Sequence, residues 1–421
     1  MKFAEHQSDI YILGYDNYND ILYSPLRGIY VEIGHSITHE IISFFRDKQP
    51  LSSRVQIFIE QILKIEKGNI KNKQKFGSQS PLVVIPTQGC NLNCEYCFSH
   101  IRSKLKEPQI LTFEQVKPLL DGFTSNTGET RHISFLGGGE PLLNWSLITQ
   151  IIEYCETRHR NVTFGLTTNA TLLTESKIEW LHSHKVALMV SCEILEDIQN
   201  KLRPLKEGGE TSYKLIESAI ISVLKHYKTI VLRSTITSTN VDRMKEMVEF
   251  VATRFPSIKK VHFEMVADNS QSHKKFYEKY IDNYFEAIEI GEKLGIKVVS
   301  MLHGSFFTLK NGVCHGEYCI TPSGNLIGCH RHSKINDDYH NDFKFGFIKN
   351  GEMFIDQHKL DSVGEYSSHP FSECKSCFAQ YHCTGGCRSL AKTYSIDLRK
   401  EYCEFVRKFY KRLILTKLQT V

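Results

Sequence analysis

The stretch Cys90-Asn-Leu-Asn-Cys94-Glu-Tyr-Cys97 decides how the rest of this chain is organised. Its three cysteines are separated by three residues and then by two. One disulfide cannot join three thiols, and a structural zinc site needs a fourth ligand close by. Three cysteine ligands instead suit an iron–sulfur cluster that leaves one iron open to a small molecule. The stretch therefore predicts a metal cluster with a vacant position.

The overall composition limits the class of protein. With 421 residues, 41% of them hydrophobic and 24% charged, the chain is long enough for two or three globular domains. A net charge of +5 is too small to indicate a nucleic-acid partner. The chain contains no apolar run of membrane-spanning length, and its start lacks the apolar segment of a signal peptide. We therefore expect no membrane partner and a cytoplasmic location, where thirteen cysteines are better metal ligands than disulfide partners.

Residues 79–305 carry the pattern of a parallel α/β domain. Short apolar runs alternate with amphipathic segments, which is typical of βαβ units. About six such units fit a partial (β/α)6, TIM-like barrel better than a closed eight-fold barrel. The predicted strands are 82–85, 132–136, 162–167, 187–190, 230–236, 261–265 and 297–300. Ligands of such sheets bind at the C-terminal ends of the strands, and the cysteine stretch follows the first strand directly.

The flanking segments follow other patterns. Residues 1–78 predict a small α+β module. Its predicted strands are 9–13, 20–23 and 29–33, and its predicted helices are 38–47 and 53–67. Residues 306–421 are rich in Cys, Gly and Pro and regain helical periodicity only near 402–418. This last domain has too little apolar material for a large core, so we expect metal clusters to stabilise it.

The spacing Cys90-x3-Cys94-x2-Cys97 resembles the signature of the radical S-adenosylmethionine (SAM) superfamily. The resemblance implies a partial barrel of the radical SAM type and a [4Fe–4S] cluster whose open iron binds SAM. In that superfamily the reduced cluster cleaves SAM to methionine and a 5′-deoxyadenosyl radical, which abstracts hydrogen from a substrate. An electron donor such as flavodoxin or ferredoxin is also implied.

Residues at the following strand ends match SAM-binding positions of the same superfamily. The stretch Gly137-Gly-Gly-Glu-Pro141 stands where the family keeps its Gly-Gly-Glu motif. Glycine lets a backbone approach a ligand closely. The resemblance implies SAM contacts for Tyr96, Gly138, Gly139, Glu140, Thr168, Asn169, Ser191 and Arg203. Glu193 stands where most relatives have Asp, and a bidentate arginine such as Arg203 suits the SAM carboxylate.

A second cysteine pattern lies near the C-terminus. The spacing Cys314-x4-Cys319-x9-Cys329, followed by Cys374-x2-Cys377-x5-Cys383-x3-Cys387-x15-Cys403, resembles the SPASM domain of radical SAM enzymes. The resemblance implies two auxiliary [4Fe–4S] clusters, and so three in all. One would be held by Cys314, Cys319, Cys329 and Cys387, and the other by Cys374, Cys377, Cys383 and Cys403. Zinc is the alternative metal, because Cys374-x2-Cys377 alone also suits a zinc knuckle. Cys155 and Cys192 are predicted core residues.

SPASM proteins mostly act on peptides, so we expect a maturase of a ribosomally made precursor peptide that installs a crosslink such as a thioether or C–C bond. Residues 1–78 would then be a winged-helix-like module that binds the peptide leader, and the alternative is a cap that shields one end of the sheet. The enzymatic alternatives are a sulfatase maturase and an enzyme that modifies a tetrapyrrole or cofactor precursor. A non-catalytic iron–sulfur or zinc scaffold is the alternative from another class. Sulfatase maturases have an Asp base where this chain has His330, a candidate catalytic acid or base.

Overall fold

The computed structural model describes most of the chain and divides it into two compact units. The described residues are 9–70, 80–101, 109–124, 130–158, 161–267, 272–310, 312, 316–364 and 371–418. Unit 1 comprises Met1–Lys73, Met301–Cys314 and Tyr366–Val421, and unit 2 comprises Gln74–Ser300 and His315–Glu365. The segments 1–78, 79–305 and 306–421 are thus regrouped in space. Their first boundary lies outside the described residues, and residues 315–365 belong to the unit that contains the predicted barrel.

The described residues form fourteen strands and sixteen α-helices. The strands are β1 (Tyr11–Gly14), β2 (Asn19–Ser24), β3 (Ile29–Gly34), β4 (Leu82–Val84), β5 (Arg131–Phe135), β6 (Val162–Thr168), β7 (Ala187–Ser191), β8 (Val231–Ile236), β9 (Lys260–Met265), β10 (Lys297–Val299), β11 (Tyr318–Ile320), β12 (Asn325–Ile327), β13 (Lys344–Lys349) and β14 (Glu352–Ile355).

The helices are α1 (His35–Asp47), α2 (Ser53–Lys64), α3 (Phe98–Ile101), α4 (Phe113–Thr124), α5 (Trp145–Arg158), α6 (Glu175–Ser183), α7 (Glu196–Leu202), α8 (Ser212–His226), α9 (Met244–Arg254), α10 (Lys274–Leu294), α11 (Met301–Phe306), α12 (His340–Phe343), α13 (Gln357–Gly364), α14 (Gln380–Cys383), α15 (Arg388–Thr393) and α16 (Ile396–Leu418). None of these helices is both long enough and apolar enough to cross a membrane.

Unit 2 is built on one sheet with the order β10-β9-β8-β7-β6-β5-β4-β11-β12-β13-β14. Strands β4 to β10 are parallel to their neighbours, because helices connect them and return the chain to the same end of the sheet. Side chains alternate between two faces along each strand. In β8, Leu232 and Ile236 are fully buried, whereas Arg233 and Thr235 point to the other face and stay partly exposed. That second face leads to the site described below.

The predicted α/β class is confirmed, and the predicted strands of the barrel begin and end within one or two residues of the observed ones. The sheet is wider than expected. Strand β11 pairs in parallel with β4, and β12 to β14 continue the sheet as antiparallel strands. These strands were not predicted because two of them are only three residues long and show no measurable period.

Unit 1 combines the N-terminal module with the C-terminal helix. Strands β1, β2 and β3 form an antiparallel sheet, and α1 and α2 pack on one face through an apolar cluster that includes Ile12, Leu22 and Ile41. The opposite face presents Tyr11 and Tyr23, which lie in a cluster with Ile414, Phe306 and Phe378. The N-terminal sheet and α16 therefore share a core and are not separate domains.

Candidate active site

The three-cysteine loop begins just beyond the C-terminal end of β4. Cys90, Cys94 and Cys97 line a single cavity of about 220 Å³. The loop is fixed by backbone hydrogen bonds to the segment after α7: the amide of Asn93 donates to Pro204 (2.8 Å), and the amide of Glu95 donates to Leu202 (3.0 Å). Burial raises the pKa of the Cys90 thiol and raises that of Cys94 to about 11. Metal binding would have to remove these protons, as it does at other cysteine sites.

All eight residues that the sequence assigns to SAM line this same cavity. They are Tyr96, Gly138, Gly139, Glu140, Thr168, Asn169, Ser191 and Arg203. They come from the cysteine loop, from the ends of β5, β6 and β7, and from the residue after α7. Parallel strands bring these ends to one edge of the sheet, as expected for a ligand site in an α/β fold. The structure thus places the predicted residues together.

Glycine is required where the second motif crosses the cysteine loop. A Cβ atom on Gly139 would lie 1.7 Å from the carbonyl oxygen of Gly89. Gly138 has a φ of +68°, and a Cβ there would lie 2.6 Å from the Ile85 side chain. The amide of Glu140 donates to the same Gly89 carbonyl at 2.8 Å. The motif therefore packs against the backbone of the cysteine loop, in addition to lining the cavity.

Glu140 links the ends of two strands. Its buried carboxylate accepts hydrogen bonds from the Thr168 hydroxyl (2.6 Å), the Asn169 amide (2.8 Å) and the Leu142 amide (3.1 Å). Burial raises the pKa of Glu140, and these hydrogen bonds oppose that effect. These contacts show that Glu140 maintains the local geometry of the two strand ends, and its contact with SAM stays a prediction.

A buried charged cluster centres on Glu193, just after β7. The Glu193 carboxylate forms an ion pair with Arg203 (3.5 Å) and accepts a hydrogen bond from the Tyr96 hydroxyl. It also accepts from the hydroxyl of Ser234 (2.6 Å), the amide of Thr235 (3.1 Å) and the side chain of Asn240 (3.3 Å). Arg203 donates to the Tyr96 hydroxyl at 3.2 Å. Glu193 therefore orients both residues at the cavity wall.

Two arginines leave buried donors beside the cavity. The Nε atoms of Arg203 and Arg233 are buried without a hydrogen-bond partner, and both residues line the cavity. A buried, unsatisfied donor is costly unless a ligand completes it. Three thiols, a glycine cradle and two cationic side chains with unused donors fit an iron–sulfur cluster together with a ligand that carries a carboxylate, such as SAM.

His330 lies beside this cavity and not in its lining. It begins a short 3-10 helix after β12, and its ring contacts Phe98 edge-on at 6.0 Å. Its Nδ1 lies 2.6 Å from the Glu317 carboxylate. Burial would raise the pKa of Glu317, but the charge and hydrogen bonds of His330 lower it to about 2. The catalytic role of His330 stays a prediction. The neighbouring His332 is fully buried against Asp337 and is a core residue.

Four of the C-terminal cysteines converge. Cys374, Cys377, Cys383 and Cys403 line one cavity of about 290 Å³ in unit 1. This is the complete second set of four that the resemblance to SPASM domains implies.

The first predicted auxiliary set consists of Cys314, Cys319, Cys329 and Cys387, and only three of these lie within the described residues. Cys319 is buried on β11, and Cys329 follows β12 in the same unit. Cys387 precedes α15 in unit 1, and Cys314 lies outside the described residues. Cys155 and Cys192 are buried, as predicted for core residues, and burial raises the pKa of each thiol to about 12.

Comparisons with known proteins agree with this site. The sequence pattern of the Radical SAM superfamily matches residues 84–251, which include the cysteine loop, the glycine motif and Arg203. Residues 84–251 of this chain therefore form a radical SAM domain. This match implies SAM and a [4Fe–4S] cluster as cofactors, and it favours an enzyme over the non-catalytic scaffold.

Three curated relatives extend the similarity to different parts of the chain. The uncharacterized protein MJ0907 of Methanocaldococcus jannaschii is 28% identical over 46% of this chain, which spans 64% of that relative's length. The radical SAM cyclopropyl synthase TigE of Paramaledivibacter caminithermalis is 22% identical over 95% of this chain and 85% of its own. The cysteine-type anaerobic sulfatase-maturating enzyme of Clostridium perfringens (strain 13 / Type A) is 24% identical over 79% of this chain and 95% of its own.

A solved structure shows the same fold. The protein described as His6-tagged anSMEcpe with bound AdoMet superposes with a TM-score of 0.65 and 18% identity, covering 81% of this chain and 95% of its own. The partial barrel inferred from the sequence is therefore confirmed as a radical SAM fold.

Sequence reasoning missed several residues of the cavity wall. Phe98, Thr235, Glu264 and Arg331 line the cavity together with the predicted residues. Thr235 and Glu264 lie opposite one another on β8 and β9. In both strands these polar residues alternate with buried apolar ones, and this alternation was the available signal. A polar side chain on a strand that is otherwise buried on both faces indicates a site. Arg331 carried no such signal, since it lies in the short 3-10 helix His330–His332 and not on a strand.

Proposed function

We propose that this radical SAM enzyme acts on a ribosomally made precursor peptide and installs a crosslink such as a thioether or C–C bond. The observation that carries the proposal is the cavity in which the cysteine loop and the SAM-type residues meet, with additional polar and apolar side chains beyond them. The similarity to the radical SAM cyclopropyl synthase TigE along 95% of the chain supports a reaction that forms a carbon–carbon bond. A solved anSMEcpe structure that contains a bound peptide supports a peptide substrate.

In this proposal the chain's own residues bind and orient the cofactors. Cys90, Cys94 and Cys97 hold the cluster, and Arg203 offers its unused donor to the SAM carboxylate, while Glu193 keeps the guanidinium in place. When bound, SAM and the cluster supply the radical that abstracts hydrogen from the substrate. The Gly137–Glu140 backbone closes the cavity behind the cysteine loop and excludes water from that side.

The N-terminal module supports recognition of a peptide leader. Strand β3 pairs with β2 along its full length, and it pairs with no other strand among the described residues. An extended peptide can add to such an edge through main-chain hydrogen bonds. The three-stranded sheet followed by α1 and α2 also agrees with the predicted α+β module. We infer that the leader binds along β3.

The C-terminal cysteines support two auxiliary clusters. The convergence of Cys374, Cys377, Cys383 and Cys403 on one cavity supports a fully ligated [4Fe–4S] cluster in unit 1. The other auxiliary cluster, on Cys314, Cys319, Cys329 and Cys387, rests on the resemblance to SPASM domains. An electron donor such as flavodoxin or ferredoxin is part of the same proposal.

The test is anaerobic. The reconstituted enzyme is reduced with dithionite, supplied with SAM and assayed for 5′-deoxyadenosine. It is then co-expressed with candidate precursor peptides, and their mass is followed for the loss of two hydrogen atoms. Cys90→Ala is expected to abolish both signals. If 5′-deoxyadenosine forms and no peptide is ever changed in mass, the substrate class is wrong.

A sulfatase-type maturase is the second candidate, because the fold of anSMEcpe covers 81% of this chain. The residue after Cys329 is a histidine paired with Glu317, where that class has an aspartate base. Incubation with a sulfatase peptide that carries a cysteine or serine would separate the two candidates. Formation of formylglycine would support this second function and overturn the first.

A further inference from the structure

The mouth of the cavity formed by Cys374, Cys377, Cys383 and Cys403 is positively charged. Arg399, Lys400 and Arg407 line it together with the thiols. Lys400 and Arg407 are exposed, and Arg399 is half-buried. We call these three side chains the basic rim.

Helix α16 places the basic rim on both sides of one cysteine. Arg399, Cys403 and Arg407 are spaced four residues apart, so they lie on one face of the helix, one turn from each other. The guanidinium carbon of Arg399 lies 3.7 Å from the centre of the Phe371 ring, which fixes this arginine at the cavity mouth. The cations are therefore held around the thiols by the helix and by a ring contact.

The charge continues along the helix beyond the cavity. Residues 396–418 contain seven Lys or Arg and three Asp or Glu, a difference of 7 − 3 = +4. One acid, Glu404, is paired with Lys408 at 3.1 Å. Glu373 is the acidic residue of the cavity lining itself. A surface of this kind attracts acidic proteins and steers their approach.

We propose that the basic rim is the docking surface for an acidic electron-carrier protein. The inference rests on the proposed function, since it assumes a redox cluster on the four thiols. In each encounter the carrier loses one electron and the enzyme gains it, with no bond made or broken and no proton transferred. An electron carrier fits better than an acidic peptide, because the rim surrounds cysteines that reach the surface: Cys374, Cys377 and Cys403 are all partly exposed.

The experiment measures binding, independently of turnover. A purified acidic ferredoxin is titrated onto the reconstituted enzyme by calorimetry at several salt concentrations. The double variant Lys400→Glu/Arg407→Glu is compared with the control Lys228→Glu/Lys259→Glu, which makes the same charge change at exposed loop positions in unit 2. Dithionite-driven formation of 5′-deoxyadenosine and the iron content of each variant are measured alongside.

The wild-type Kd is expected to weaken steeply as salt rises, and the rim variant is expected to bind at least about tenfold more weakly with a shallower salt dependence. The control is expected to bind like wild type. Equal Kd values for the two double variants, or a wild-type Kd independent of salt, would overturn the proposal. So would tight binding of poly-glutamate in place of the ferredoxin.

Loss of iron from the rim variant and absence of 5′-deoxyadenosine each have a defined meaning for the proposal. If the rim variant loses iron, the neutral pair Lys400→Gln/Arg407→Gln replaces it, and unchanged ferredoxin binding by that pair would also overturn the proposal. If dithionite yields no 5′-deoxyadenosine from wild type while the rim still governs ferredoxin binding, the proposed function fails and the docking surface stands.

Discussion

Gly139 sets the closest approach between the glycine motif and the cysteine loop. Because a Cβ at this position would lie 1.7 Å from the Gly89 carbonyl oxygen, one of the two backbones must move to accept any side chain. The neighbouring hydrogen bond from Glu140 to Gly89 would be lost with that movement. The residue thus controls the position of the cysteines without touching them.

We predict that Gly139→Ala lowers the free energy of unfolding by about 1–3 kcal/mol and strongly reduces SAM binding, because overpacking displaces the loop. Chemical denaturation and equilibrium dialysis with labelled SAM measure the two effects. Gly209→Ala is the control, since a Cβ there has no neighbour within 4 Å. Equal SAM affinity in the two variants would contradict the role given to Gly139.

Tyr96 provides a second prediction at this scale. Its hydroxyl contacts both Glu193 and Arg203, so Tyr96→Phe removes two hydrogen bonds from the group that positions the arginine. We expect several-fold weaker SAM binding and a loss of roughly 1 kcal/mol in stability. Tyr213→Phe, whose hydroxyl donates to Glu217 away from the cavity, serves as the control. It is expected to leave the Kd for SAM unchanged.

Seven of the eight predicted SAM-binding residues lie in a motif or at a strand end, and Arg203, just after α7, was predicted from the family resemblance. Their supports were not recognisable. Glu193 bonds Tyr96, Arg203 and Asn240 across long stretches of sequence, and those pairings exist only after the sheet has formed. Local sequence therefore indicates which residues line the site, and the fold decides which of them hold the others in place.

At the scale of elements, the first residue of α12 binds this helix to strand β12, inside the sheet. The His340 ring is buried. Its Nδ1 lies 2.8 Å from the carbonyl oxygen of His332 and therefore donates a hydrogen bond to it. Its Nε2 lies 3.2 Å from the side-chain amide nitrogen of Asn325 on β12 and accepts from it. Burial lowers the pKa of His340 below its usual value of 6.5. Both ring nitrogens are used by the neutral form.

The sign of the pH effect follows from that shift. Because the folded-state pKa lies below the unfolded one, the unfolded chain binds the proton more tightly, and stability is lost as pH falls below about 6.5. We predict a lower unfolding free energy at pH 5.5 than at pH 7.5, and a smaller difference in His340→Gln. Urea denaturation of both proteins at the two pH values measures it. An equal loss in both would show that other groups cause the effect.

Elements were predicted best where local pattern and tertiary packing agree. Helix α8 is an example of such agreement, because its apolar positions repeat with the helical period and Thr211 caps its N-terminus. The short helices α14 and α15 were missed, since they have only four and six residues and are too short to show a helical period. Strand β11 was missed because its pairing with β4 is non-local.

At the scale of the whole molecule, we predict that Cys374→Ala removes about four iron atoms per chain, because a cubane cluster needs all its ligands. Iron analysis of the anaerobically reconstituted protein measures this, against about twelve for three clusters in wild type. Cys155→Ala, in the core of α5, is the control and is expected to keep its iron. Stoichiometric zinc in place of iron would overturn the auxiliary-cluster assignment.

The shared core of unit 1 gives a further prediction. Deleting residues 9–68 removes Tyr11 and Tyr23, which pack against Ile414 and contact Gln380 and His382 beside the cysteines. We expect the deletion to lower the melting temperature and to release iron from the Cys374 set. Iron analysis and thermal unfolding of the truncated protein test it. If the truncated protein kept all of its iron, residues 9–68 would instead be a separate peptide-binding domain.

The pairing of β4 with β11 has a consequence for biosynthesis. The strand that ends at Val84 leads into the cysteine loop, yet one of its two hydrogen-bonded neighbours begins only at Tyr318. During translation β4 therefore remains an open sheet edge until most of the chain has left the ribosome, and such an edge invites aggregation. Delivery of iron to the loop cysteines is expected to follow chain release, and slow synthesis of the C-terminal third should lower the yield of folded enzyme.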